Sequence, residues 1–199
     1  AIEDKNPIYA VIEGYAANND GNRKTSYTTP SLGGHAECIQ KALNNSSVDK
    51  NRVAFIEAHG TGTYVGDPIE IDAFKRAYNH IESPCWIGSV KANIGHTNTA
   101  GGLIGLAKLS LARKHNFLPG NPGKSKPIAS VSNTAAHFQL LLDSTVWPKN
   151  KPFAGISSLG IGGTNNHIIL GPAPERVTSL NKASVYILAL TAKNKSSLD

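Results

Sequence analysis

Cysteine is scarce in this 199-residue chain, and the two present, Cys38 and Cys85, show no metal-ligand spacing and no disulfide framework. Long apolar runs are missing as well. The longest apolar stretch, residues 103–111, is broken by Gly105, Lys108 and Ser110, so nothing in it has the length of a membrane span. The opening "AIEDKNPIYA" has no apolar core of the kind a secretory leader carries. Basic runs interleaved with aromatics are absent, although 20 Lys+Arg against 14 Asp+Glu leave a net charge of +6. That thinly spread excess argues against a nucleic-acid partner and is compatible with an acidic one. Internal repeats and low-complexity segments are missing too. These absences predict a soluble, cytoplasmic protein with neither a membrane nor a nucleic acid as partner.

What is present alternates between strand and helix. "PIYAVIEGYAANNDG" predicts a strand over 8–15 and a turn over 18–21. Ala36, Ile39, Ala42 and Leu43 recur at helical spacing. "RVAFIEAHG" is a short continuous apolar run, as in a strand buried on both faces. "DPIEIDAFKRAYN" predicts a helix with Asp67 as N-cap and Pro68 at its first position. A second buried strand is expected over 85–92, and a Gly/Ala-rich helix over 99–114 whose small residues suit close packing. The Pro and Gly of "FLPGNPGKSKPI" predict a loop, and "FAGISSLGIGGTNNHIILG" a hairpin. After Gly171 the composition turns linker-like, with one last strand expected at "VYILAL". The alternation predicts an α/β fold.

Three segments end a predicted strand with polar residues beside glycines: "EAHGTGT" with His59, "VKANIGHTNTAGG" with Lys91, Asn93 and His96, and "SSLGIGGTNNH" with residues 161–165. Strand ends of open α/β sheets are common ligand sites, and three of them converging on one pocket would make one here. Bland alternatives stand beside each. His59 and His96 are equally readable as satisfied core histidines, and "GIGGTN" as a hairpin bend without the Lys-Ser/Thr of a phosphate loop. A zinc site from His35, His59 and His96 has no supporting spacing. Asp67 and Glu70 read as a solvated pair on one helix face. Lys91, inside an expected apolar strand, requires a carboxylate partner, for which Glu70 is the candidate.

In order and spacing, "EAHGTGTYVGDPIE", "VKANIGHTNTAGGLIGLAKLSLA" and "GISSLGIGGTNNHIIL" resemble the C-terminal half of β-ketoacyl synthase (ketosynthase) domains, above all those of modular polyketide synthases and type I fatty acid synthases. The resemblance covers residues 1–171 and leaves 172–199 as a post-ketosynthase linker with a short strand. It implies a thiolase-like fold, of which this chain is one βαβαβαββ half of the layered α-β-α-β-α domain. It implies decarboxylative Claisen condensation of acyl and malonyl thioesters on acyl carrier protein. His59 and His96 then match the two histidines that stabilise the enolate, and Thr61 and Thr63 the threonines that meet the phosphopantetheine arm. Lys91 matches the lysine that orders the site, Glu70 its acidic neighbour, and the Ile161 backbone N–H an oxyanion-hole donor. Many members carry phenylalanine at one or both of the positions held here by Leu159 and Ile161, so the gate on the acyl pocket differs.

The resemblance also implies no cofactor bound by this chain, no metal, and three partners: acyl carrier protein, an N-terminal ketosynthase half and a second subunit in a homodimer. The family nucleophile sits in a T-A-C-S-S-type elbow that is absent here, so the isolated chain is expected to be catalytically incomplete. Two other readings remain: a non-catalytic acyl-carrier docking or scaffold module, against which the His59/His96/Lys91 set argues, and a bare malonyl-thioester decarboxylase.

Overall fold

A computed structural model describes residues 1–4, 6–123, 137–174 and 194. Its centre is β2 (Val53–Glu57), every residue of which is buried. Parallel neighbours flank it: β3 (Cys85–Gly88) on one side, and β7 (Phe153–Leu159) on the other. Beyond β3 lies β5 (Phe138–Leu140), also parallel. Beyond β7 the chain doubles back as β8 (Thr164–Pro172), and β1 (Ala10–Asn19) closes that edge antiparallel to it. The six-stranded order is therefore β1-β8-β7-β2-β3-β5. β4 (Phe117–Leu118) and β6 (Thr145–Val146) form a separate small ribbon.

Helices cover both faces, which is why β2 has no polar face to spare. On one side α1 (Leu32–Ser46) and α2 (Gly66–Ala77) pack Ile39, Ala42 and Phe74 against Ile56, Ile87 and Ile169. On the other, α4 (Gly101–Lys114) sets Leu109 and Ala112 against Phe55, Ala154 and Leu170. Ser31 caps α1 by accepting the Gly34 N–H at 3.2 Å, while its own N–H donates to buried Asp20. Among the described residues no helix is long and apolar enough to cross a membrane.

The structure corrects several boundaries. β1 continues to Asn19 through the turn expected at 18–21, because residues 16–19 pair with residues 164–167 of β8; that pairing is non-local and leaves no local trace. β3 stops at Gly88 rather than near residue 92. There the Ser89 N–H leaves the ladder for the Asn121 side chain, the Val90 N–H goes to the Glu57 carboxylate, and α3 (Lys91–Ile94) begins. Lys91 is thus the first residue of a short helix, not part of a strand. Asp67 is not the N-cap of α2, which is Val65; Asp67 lies inside the first turn and folds back onto the preceding loop. The ribbon strand β4 occupies the start of the segment expected to be all loop. The strand expected at "VYILAL" lies outside the described residues.

Candidate functional site

The chain leaves β2 at Glu57 and turns at once through His59 and Gly60. Two carboxylates hold that turn from beneath. Glu70, buried on α2, accepts the His59 N–H at 2.7 Å and the Gly60 N–H at 2.9 Å, one on each oxygen. Asp67 accepts the Gly62 N–H at 3.1 Å and the Thr63 N–H at 3.4 Å. The Thr63 hydroxyl in turn accepts the Gly66 N–H at 3.1 Å, which closes the loop onto the start of α2. Gly60 has φ +43°, and a Cβ there would lie 2.9 Å from the Ser89 Cβ, so both conformation and space require glycine.

This geometry aims the two histidines at each other. The His59 and His96 rings lie 5.3 Å apart, edge to face at 87°. Both line a cavity of about 330 Å³ together with Thr61, Thr63 and Ile161. The Leu159 N–H donates to His59 Nδ1 at 3.3 Å, which assigns the ring proton to Nε2. Burial pushes the His59 imidazole down to about 3, with the Lys91 ammonium and His96 adding to the effect. His59 is therefore a neutral ring with one N–H to give. Burial also pushes the Glu70 carboxyl up to about 7, against the pull of the Gly60 and His59 N–H groups.

The third strand end supplies the opposite rim. Gly160 and Gly163 form a tight turn through Gly160 N–H to Thr164 O and Gly163 N–H to Gly160 O. Gly163 has φ +93°, and a Cβ there would come within 3.0 Å of the Lys24 side chain. The Lys24 ammonium donates to the Ile161 carbonyl at 2.6 Å. Ile161 itself is 62% exposed on the rim. Asn165, 1% exposed, anchors the turn by donating to Asp20 Oδ1 at 2.7 Å.

Six of the seven site residues read from sequence line this cavity: His59, His96, Thr61, Thr63, Glu70 and Ile161. Lys91 is half-buried beside it: its Cε and the His96 ring both border the space over Gly101. The expected Lys91–Glu70 ion pair is not formed. Glu70 spends both oxygens on backbone N–H groups, and Lys91 feels it only through space. The buried carboxylate beside the site that is ion-paired is Glu57, 2% exposed, whose partner is Lys108 at 2.7 Å. Neither residue is among the site candidates that the sequence suggests. A usable signal existed: Glu57 interrupts an apolar strand and Lys108 an apolar helix, the same pattern that singled out Lys91.

The bland reading of the Asp67/Glu70 couple also fails, since Glu70 is buried and both work as loop anchors. His35 does not join His59 and His96; it hydrogen-bonds Ser157, and no group of three ligating side chains gathers among the described residues. Cys38 and Cys85 are buried, and burial pushes their thiols up to about 11 and 12. Neither is a thiolate at neutral pH.

Residues 9–124 match the family model for the β-ketoacyl synthase C-terminal domain. The chain is 35% identical over its full length to the polyketide synthase PksN of Bacillus subtilis, of which it covers 4%. Over 92% of its length it is 41% identical to the probable polyketide synthase 17 of Dictyostelium discoideum, of which it covers 7%. Among solved structures, the oxazolomycin ketosynthase domain OzmH KS7 of Streptomyces albus aligns with all of it at TM-score 0.86 and 29% identity. Ketosynthase twelve of the bacillaene synthase of Bacillus amyloliquefaciens aligns with 87% of it at TM-score 0.82 and 36% identity. The chain spans 36% and 32% of those two structures. They place its fold among the thiolase-like ketosynthases.

Proposed function

We propose that this chain, which belongs to the β-ketoacyl synthase C-terminal domain family, supplies the enolate-stabilising half of a polyketide-synthase condensation site. The observation that carries the proposal is the pair of imidazoles 5.3 Å apart on one cavity, with the His59 proton held on Nε2 by the Leu159 N–H. In the reaction, the bond between the malonyl carboxylate and its α-carbon breaks and carbon dioxide leaves. The electron pair flows onto the thioester carbonyl, whose oxygen becomes an enolate. His59 Nε2–H and His96 donate to that oxygen as its charge develops, an interaction stronger in the transition state than in the ground state.

The α-carbon then attacks an acyl thioester carried on a cysteine. The new oxyanion falls to the Ile161 N–H, whose residue Lys24 steadies through the Ile161 carbonyl; its collapse breaks the carbon–sulfur bond, releases the cysteine thiolate and leaves the β-ketoacyl chain on the carrier. Buried, protonated Cys38 and Cys85 do not suit the nucleophile's role, which falls to a cysteine of an N-terminal ketosynthase half. Thr61 and Thr63 offer hydroxyls along the path of a phosphopantetheine arm, which makes acyl carrier protein the substrate-bearing partner and leaves this chain without a cofactor of its own. Ile12, Tyr15 and Leu103 stay 50%, 68% and 70% exposed around a second, mainly apolar cavity. A face of that kind suits an N-terminal ketosynthase half and a second subunit.

The test measures release of labelled carbon dioxide from malonyl-carrier protein by the native polypeptide that carries this chain. His59→Ala and His96→Ala are each expected to slow it roughly 10²–10³-fold, while acyl loading of the separate cysteine persists. Undiminished decarboxylation in both variants overturns the proposal.

A further inference from the structure

Glu57 spends both carboxylate oxygens near the site, yet it touches neither histidine. One oxygen accepts the Val90 N–H, at the turn from β3 into α3 that presents Lys91; the other meets the Lys108 ammonium at 2.7 Å. Lys108 reaches it from α4, where residues 101, 105 and 108 share one face. Each position on that face has a distinct neighbour. Gly101 borders Lys91 Cε and the His96 ring; Gly105 lies against Glu57, where a Cβ would come within 3.0 Å of its Cγ; Lys108 closes the ion pair. One carboxylate thus ties the end of β2, two residues before His59, to the helix beneath His96 and to the turn that presents Lys91.

We propose that Glu57 and Lys108 form a positioning pair for the two-histidine site, in which Lys108, by holding Glu57, leaves the Lys91 ammonium uncommitted and beside the imidazoles. The inference rests on the reading of the His59/His96 cavity as the condensation site. The groups that face Lys91 are Glu57 from β2, Glu70 from α2, Lys108 from α4, and the two histidine rings. Burial lowers its pKa, Glu70 and Glu57 raise it, and Lys108 lowers it again. Were Lys108 neutral, Glu57 would turn its charge on Lys91, its nearest remaining cation. An uncommitted Lys91, by contrast, discourages protonation of His59 and keeps it a hydrogen-bond donor. Both members of the pair are positioning residues: they act through Lys91 and the turns, not on substrate.

The test follows the titration of Lys91 by NMR after reductive ¹³C-methylation of the native polypeptide, with Lys91→Arg used to assign the resonance. In Lys108→Met the Lys91 midpoint is expected to rise by about one pH unit. In Lys108→Arg it stays at the native value. In the double variant Lys108→Met/Glu57→Gln it returns to the native value, because a repelling and an attracting charge have gone together. A midpoint unmoved in Lys108→Met, with only the melting temperature lowered, overturns the inference. If Lys108→Met does not fold, the double variant decides, and a midpoint displaced there by a full unit overturns it. The readout needs no turnover, so failure of the condensation reading would leave it intact and be seen separately in carbon dioxide release.

Discussion

Two pairs of histidines flank this sheet, and they differ in what their ring nitrogens meet. His35 and His167, both 0% exposed, are joined through Ser157 at 3.1 and 2.9 Å, and His167 passes on to the Tyr78 hydroxyl at 3.2 Å. His167 spends both nitrogens inside the core. His59 spends one, on the Leu159 N–H, and keeps the other for the cavity it lines. Burial drives three of these rings toward neutrality: His35 is pushed down to about 4, and His167 and His59 each to about 3. Neutral histidine is therefore no sign of chemistry by itself. The sealed pair cross-links α1, β7, β8 and the end of α2, with His35 Nδ1 left unpartnered in the core; the open pair has a hydrogen bond to give into a cavity.

The sharpest break between the pairs comes from the sealed one. His167→Leu leaves the Tyr78 hydroxyl and one side of Ser157 without partners in a dry core. The expected loss is about 3 kcal/mol of stability, read as a lower urea midpoint at unchanged m-value. Carbon dioxide release per folded molecule should be unchanged. A stability loss under about 1 kcal/mol would mean that the chain from His35 to Tyr78 does not act as a unit.

Acid should act on the sealed pair and on His59 at once. His35, His59 and His167 each have a folded-state pKa below the ordinary 6.5, so the unfolded chain binds the extra protons. Their stabilisation is complete above 6.5 and falls as pH drops toward 4, by about 1.4 kcal/mol per pH unit for each ring. Glu70, raised to about 7, works in the opposite sense between its ordinary 4.5 and 7, because there the folded state holds the extra proton. The net expectation is lower stability at pH 5 than at pH 7, measured by urea unfolding at both. Equal stability would contradict the burial of the rings.

The smallest effect belongs to the loop that carries the open pair. Thr63→Val keeps the shape of the side chain and removes the acceptor of the Gly66 N–H, an N-terminal capping contact for α2. The expected cost is about 1 kcal/mol. A second readout is a raised KM for carrier-bound malonate at nearly constant rate of decarboxylation. A variant as stable as the native chain, with native KM, would remove Thr63 from both roles.

Much of this was legible in the chain itself. The all-apolar run 53–56, the small residues of α4 and the hairpin over 153–171 specify a doubly covered sheet by local pattern alone. His59, His96, Thr61 and Thr63 stand out because turn-forming residues cluster directly after strand residues, where backbone must approach a ligand. Lys91 was legible as an ammonium in need of a carboxylate, but not which one. Glu57 and Glu70 lie 13 residues apart in sequence and both end up buried near it.

The sequence by itself determined the types of β1, β2, α1, α2, α4 and the β7–β8 hairpin and the set of polar groups at the strand ends, because periodicity and turn chemistry are local. Only the tertiary structure decided which of those groups met. It carried β1 on to Asn19 through pairing with β8, ended β3 at Gly88 by diverting its N–H groups to Asn121 and Glu57, and sealed His167 while opening His59. It gave Glu70 to the loop backbone and Glu57 to Lys108. The physical reason is desolvation. A buried charge or ring nitrogen must find its partner among whatever groups the packed sheet brings within about 3 Å, and that choice is made in space, not along the chain.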